Sequence, residues 1–175
     1  VTGVQTCALP IWRDLENGAR QSLRTAAHLA EAAEYVGELS LGESRKHKTR
    51  DEGFNPEASF ILGGQVRGRE PQIFLIYPEG NHIRASAETP YLQIGEVKYG
   101  KPILDRIVTP DMALEDAARC ALVSVDSTMR SNVTVGPPIE LRIYEADSFR
   151  EGRHIVLKED DEYLRGIRRA WQENL

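Results

Sequence analysis

Two linked stretches decide how this chain reads: Ile61-Leu62-Gly63-Gly64-Gln65, and then Pro71-Gln72-Ile73-Phe74-Leu75-Ile76-Tyr77-Pro78-Glu79-Gly80. The first is apolar around a Gly-Gly pair. The second is rich in Ile, Phe and Tyr, side chains that suit a pleated, half-buried surface. Between them, Arg67-Gly68-Arg69-Glu70-Pro71 is a hairpin-length connection. Pro78-Glu79-Gly80-Asn81 is a second turn, with Pro setting φ and Gly or Asn accepting the left-handed region. The pattern predicts short strands over 58–66, 72–77, 82–85 and 91–94, joined as an antiparallel meander.

Working outward, the flanks change period. Upstream, Leu15, Ala19, Leu23, Ala26, Ala30 and Ala33 recur at three and four, predicting a helix over 14–41 that Gly37 and Gly42 weaken. Arg45, Lys46, His47, Lys48 and Arg50 then read as a solvated helix end or loop. Downstream, a short helix is expected over 99–108, with Pro102 in its first turn. A long one follows over 111–130, with Asp111 as N-cap and an apolar stripe of Leu114, Ala117, Ala118, Ala121, Leu122, Val125 and Met129. Ile139, Leu141 and Ile143 alternate with polar neighbours as a strand, 155–157 forms another, and 160–171 closes as an amphipathic helix. Helices and strands are segregated, so the class is α+β and not alternating βαβ.

Composition narrows the function classes. The 175 residues carry a net charge of −5, with 28% charged and 41% hydrophobic residues. An acidic chain lacks the basic face that a general nucleic-acid binder needs, so no nucleic-acid partner is expected. Two cysteines, Cys7 and Cys120, make no disulfide scaffold, which points to a reducing, cytoplasmic setting. The longest apolar run, 73–77, is far too short to span a membrane, so no membrane partner is expected. His28, His47, His82 and His154 are scattered without ligand spacing, so neither metal nor cofactor is expected. Cys120 lies on the apolar stripe and reads as core. Asp126 and Arg130, four apart, read as an exposed helix pair. Lys98 and Lys101 flank Gly100 near a helix start and read as solvated surface cations, with an anion as the sharper reading.

The two opening stretches resemble the central hairpin of proteasome β-type subunits: a Gly-containing strand, then a strand ending in a Pro-x-Gly turn. Gln93-Ile94-Gly95-Glu96-Val97-Lys98-Tyr99-Gly100 sits where that family has its Gly-Ser-Gly loop into a helix. Leu114–Arg130 looks like the family's long helix. The characteristic stretches Gln93–Arg106 and Ala121–Ile139 are most similar to the Anbu group, the bacterial "ancestral β-subunit" homologues. The resemblance covers roughly residues 20–149. It implies a partial αββα sandwich of the N-terminal nucleophile hydrolase fold, with the first strands missing. It also implies threonine-peptidase chemistry on peptide or amide substrates, and self-association into a proteasome-like homo-oligomer. In that chemistry a first-residue Thr hydroxyl attacks and its own α-amine is the general base.

The same resemblance places the nucleophile, its Asp and its Lys outside this chain, which is then expected to be inactive. Val1–Ile11 has no Met and no charge and looks like a translated sequencing adapter, so 1–11 reads as a non-native leader and 12–175 as a single truncated domain. Thr2 lies in that leader behind Val1 and has no free amine, so it is not the nucleophile. Loss of the first strands would uncover inner sheet surface and a strand edge, and poor solubility is expected. The family pattern Arg-Asp-x-x-Ser-Gly-Gly meets Arg130-Ser131-Asn132-Val133-Thr134-Val135-Gly136, with Ser131 in place of the Asp and Thr134 in place of the Ser. Glu96 stands where the loop Ser would be. Ser131, Asn132, Thr134 and Glu96 are therefore the candidate site-supporting residues, although Ser, Asn and Thr also cap helices and form turns. Two other classes fit the same residues: a non-catalytic structural subunit, and an amide-ligating enzyme that uses an amine acceptor.

Overall fold

A computed structural model of the chain describes residues 10–48 and 57–173. Thr2, Cys7 and Arg50 lie outside the described residues, as does most of the leader, and so do the side chains of His47 and Lys48. The contacts fall into two compact units, one ending at Ala85 and one beginning at Ser86. The elements are α1 (Leu29–Lys48), β1 (Phe60–Gly64), β2 (Gln72–Ile76), β3 (His82–Arg84), α2 (Lys101–Ile107), α3 (Leu114–Ser131), β4 (Ile139–Ile143), β5 (Arg153–Leu157) and α4 (Glu162–Glu173).

In the first unit the expected meander forms in the order β1-β2-β3, all antiparallel. Its period-2 pattern puts Phe74 and Ile76 on one face, with Phe60 and Leu62 as their cross-strand partners. That face packs on Ala33, Tyr35 and Val36 of α1 to make the core. The other face carries the row Ile61, Leu75, Ile83, in which Ile61 and Ile83 are 41% and 46% exposed. Gly80, at φ +87, closes the β2–β3 turn with its N–H on the Tyr77 carbonyl at 2.9 Å. Its backbone lies so close to Gly37 of α1 that a Cβ on Gly37 would overlap the Gly80 carbonyl oxygen.

The single helix predicted over 14–41 is instead broken. A helical stretch over 10–16 ends where Gly18 turns left-handed, at φ +62, with the Ala19 N–H on the Asp14 carbonyl. Ser22 and Thr25 then bond each other in a turn. α1 starts afresh on a reciprocal cap: the Glu31 carboxylate accepts the Ala27 N–H at 2.8 Å, and His28 Nδ1 accepts the Glu31 N–H at 3.2 Å. The helix runs past Gly37 and Gly42 to Lys48, so the basic cluster begins on its last turns.

The two helical pieces are tied by Tyr35, whose hydroxyl donates to Asp14 at 2.7 Å. Burial, and then that bond to a carboxylate, pushes the phenol up to about 12. Between pH ~10 and 12 the unfolded chain loses this proton while the folded one keeps it. The contribution is therefore intact below pH ~10 and lost as pH rises through about 12. Phenolate absorbance should show one tyrosine titrating near 12, and Tyr35→Phe should abolish that component. Its persistence in the variant would refute the assignment.

In the second unit, residues 91–94 form no strand. Tyr91 is anchored to α2 instead, its hydroxyl donating to Asp105 at 2.5 Å and receiving Lys101 Nζ at 3.2 Å. Lys101 also pairs with Asp105 at 2.6 Å, so it serves the α2 surface. The α3 start is also later than expected: Ala113 is the N-cap, without a side-chain bond. Asp111 serves the preceding turn, where a hydrogen bond from the Thr109 side chain holds its carboxyl below the usual range.

The stripe on α3 is only part of what it buries. Leu114 is 44% exposed, whereas Leu122 packs with Leu157 and Leu164. A second, polar face buries Ser124 and Thr128 against Gly100 at the head of α2. β4 and β5 pair antiparallel, Ile139 opposite Leu157 and Leu141 opposite Ile155, and lay their apolar side against this core. Asp126 is not an exposed pair with Arg130. It is 5% exposed and accepts from Arg130 Nε at 3.1 Å and from Arg168 of α4 at 2.8 Å. Cys120 is half-buried, and burial, then Asp116, raises its thiol, which suits packing and not nucleophilic attack.

Candidate functional site

The candidate residues come from two elements of the second unit. Gly95, at φ +81, turns the 93–98 loop sharply and presents Glu96. Asn132 caps α3: its backbone leaves the helix at φ −136 while its N–H still bonds the Thr128 carbonyl at 2.9 Å. Packing of Gly100 on Ser124 and Thr128 brings the loop to the end of α3. A side chain at position 100 would leave no room for this approach.

The result is a small acceptor-rich cluster. Asn132 Nδ2 donates to Glu96 Oε2 at 3.2 Å, across 36 residues of sequence. Glu96 Oε1 accepts the Lys98 N–H at 2.9 Å. Asn132 Oδ1 accepts both the N–H of Thr134, at 2.9 Å, and its hydroxyl, at 2.7 Å. Gln93 Nε2 donates to the Glu96 carbonyl at 3.1 Å, and Gln93 Oε1 is buried without a partner among the described residues. A buried carbonyl without a donor costs roughly 1–3 kcal/mol, so the cluster has an unmet demand for an N–H or O–H. Each Glu96 oxygen accepts one bond and has capacity for another.

Of the four expected residues, Glu96, Asn132 and Thr134 are brought together. Ser131 is exposed, with no side-chain hydrogen bond among the described residues. Gln93 was missed, because nothing in its sequence position shows that its oxygen is orphaned. Among the described residues no group of three or more His, Cys, Asp or Glu is placed to hold a metal ion, and no helix is long and apolar enough to cross a membrane.

No family model and no curated protein matches the chain. Solved structures do. Anbu (ancestral beta-subunit) from Yersinia bercovieri is 38% identical at a TM-score of 0.91, the match covering 99% of this chain and 72% of that one. The Anbu (Gly-1) mutant from Hyphomicrobium sp. strain MC1 is 43% identical at 0.89, with the same coverages. The chain belongs to the Anbu family. A third structure, the helical assembly of the Anbu complex from Pseudomonas aeruginosa, is 38% identical at 0.92 and covers 99% and 72%. The Anbu match extends beyond the 20–149 expected from motifs and takes in the C-terminal hairpin and α4. The chain therefore has the proteasome-like α+β fold that the sequence implied. The Glu96–Asn132 cluster is accordingly a feature of an Anbu subunit.

Proposed function

We propose that this Anbu chain is the distal part of an N-terminal-threonine amidohydrolase subunit, in which the Gln93–Glu96–Asn132 cluster supports the nucleophile. The Gln93 oxygen, buried without a partner among the described residues and on the same loop as Glu96, carries the reading, because it is an acceptor open to the N–H of an α-amine. The threonine hydroxyl attacks a peptide or amide carbonyl and passes its proton to that amine. Collapse of the tetrahedral intermediate expels the substrate amine, which takes the proton. Water then cleaves the ester to the carboxylic acid and restores the hydroxyl. The nucleophile, its Asp and its Lys belong to the full-length protein, so residues 1–175 alone are inactive. The setting is cytoplasmic, and the subunit self-associates into a homo-oligomer.

A second reading has its own support. Ser131 stands where the family carries an Asp and its side chain forms no hydrogen bond among the described residues, which favours a non-catalytic assembly subunit. An amine in place of water as acyl acceptor would make the enzyme a ligase.

A peptide epoxyketone separates the first two readings, since it needs both the hydroxyl and the free amine of a first-residue threonine. The full-length protein should gain one adduct on its first residue by intact mass, and Glu96→Gln should slow labelling about tenfold or more. The 175-residue chain should gain none. An unlabelled full-length protein overturns the enzyme reading and leaves the scaffold. Supplying an amine acceptor and identifying the product distinguishes ligation from hydrolysis.

A further inference from the structure

The outer face of α4 has features that its own chain does not explain. Leu164, Ile167 and Trp171 face inward, and Arg168 is tied to Asp126. Opposite them lie Glu162, Arg165, Gly166 and Arg169, all exposed. Gly166 sits mid-helix with an ordinary φ, and a Cβ there would meet nothing within 4 Å. A mid-helix glycine costs about 1 kcal/mol against alanine, so neither backbone geometry nor packing within the chain accounts for it. Tyr163, one turn earlier, is 50% exposed beside a shallow groove lined by Arg119, Asp161 and Ile167.

Charge is segregated along the same helix. Glu159-Asp160-Asp161-Glu162 is a block of carboxylates at its start, and Arg165 and Arg169 follow. Among the described residues, neither those two guanidinia nor the carboxylates of Glu159, Asp160 and Glu162 form an ion pair. The helix dipole rewards this polarity weakly, but it does not call for a bare backbone at the centre.

We propose that α4 is a contact between two copies of this chain, the two helices crossing antiparallel at Gly166. The antiparallel arrangement sets Glu162 of each helix beside Arg169 of the other, twice, about one two-fold axis. A parallel one would set like charge on like. Glycine at the crossing lets the two backbones approach closely. The proposal rests on the self-association stated above and names its surface. Two crossed three-turn helices bury less than the roughly 1,200 Å² of an independent stable pair. The contact is therefore weak and salt-sensitive on its own.

The test uses the whole chain in sedimentation and oxidation experiments. Arg169→Glu and Glu162→Arg should each weaken self-association about tenfold or more by setting like charges together. Mixing the two variants should restore it, because both 162–169 cross-pairs are then opposite in charge; a folding defect would not be rescued this way. In a background of Cys7→Ser and Cys120→Ser, Gly166→Cys should give a disulfide-linked dimer on mild oxidation, whereas Val156→Cys, on the exposed side of β5, should not. Parental association by the charge variants, no rescue on mixing, or no excess of the Gly166→Cys dimer over the control would each overturn the α4 contact alone. A parent chain that stays monomeric under every condition would overturn the assembly reading beneath it.

Discussion

Asp126→Ala is expected to lower the unfolding free energy by about 2–4 kcal/mol, the loss appearing in the α3–α4 unit. Removing one partner of a buried ion pair costs about 3–5 kcal/mol when the charge left behind is also buried. Here the carboxylate is buried but both guanidinia are 43% exposed, so water takes over part of their solvation and the expected loss shifts down to about 2–4 kcal/mol. Arg168→Ala leaves Asp126 with Arg130 alone, and should cost less than removal of the carboxylate. A double-mutant cycle should return an Asp126–Arg168 coupling of at least about 1 kcal/mol, and Arg168→Lys should not recover it, since Nε and Nη2 both engage Oδ1. Urea unfolding followed by Trp171 fluorescence, with Trp12→Phe to silence the other indole, reads the loss where it occurs. Additive effects of the two substitutions would mean that the pair is not coupled.

The second large effect concerns two glycines on one helix. Helix propensity predicts that alanine at either Gly37 or Gly42 stabilises α1 by up to about 1 kcal/mol. At Gly42 nothing lies within 4 Å of the new methyl, and that gain should be realised. At Gly37 the methyl would occupy the space of the Gly80 carbonyl oxygen, and backbone, unlike the end of a side chain, cannot swing away. Overpacking of this kind costs about 1–3 kcal/mol or more. Gly37→Ala should therefore destabilise by about 2 kcal/mol net while Gly42→Ala stabilises, a difference of sign between two identical substitutions five residues apart. Thermal melts of the two variants decide it, and equal shifts would refute the close approach.

These two sites mark the limit of what the amino-acid order reveals. The β1–β2–β3 meander and the β4 strand are legible because side chains alternate and the turns carry Gly and Pro. The start of α1 is not, because its cap uses His28 and Glu31 in place of a Ser or Thr at the boundary. The buried polar face of α3 escapes for a related reason: Ser124 and Thr128 look like solvent-facing residues until Gly100 is laid against them. Asp126 is misread because its decisive partner, Arg168, lies 42 residues away. In the candidate site, Glu96, Asn132 and Thr134 were reachable only through family likeness. Gln93 was not reachable at all, since being without a partner is a property of three-dimensional neighbours.

The hydrogen bond from Asn132 to Glu96 closes a loop of 36 residues. Closing a loop of that length costs on the order of 3–4 kcal/mol of chain entropy, whereas one such bond returns about 1 kcal/mol. The bond therefore cannot recruit its own partners; the seating of Gly100 on α3 must bring them together first. Hydrogen exchange at the Asn132 amide, whose N–H bonds the Thr128 carbonyl at the last turn of α3, should then report the site's opening. Any substitution that loosens the α2–α3 contact should disperse the cluster without touching one of its residues.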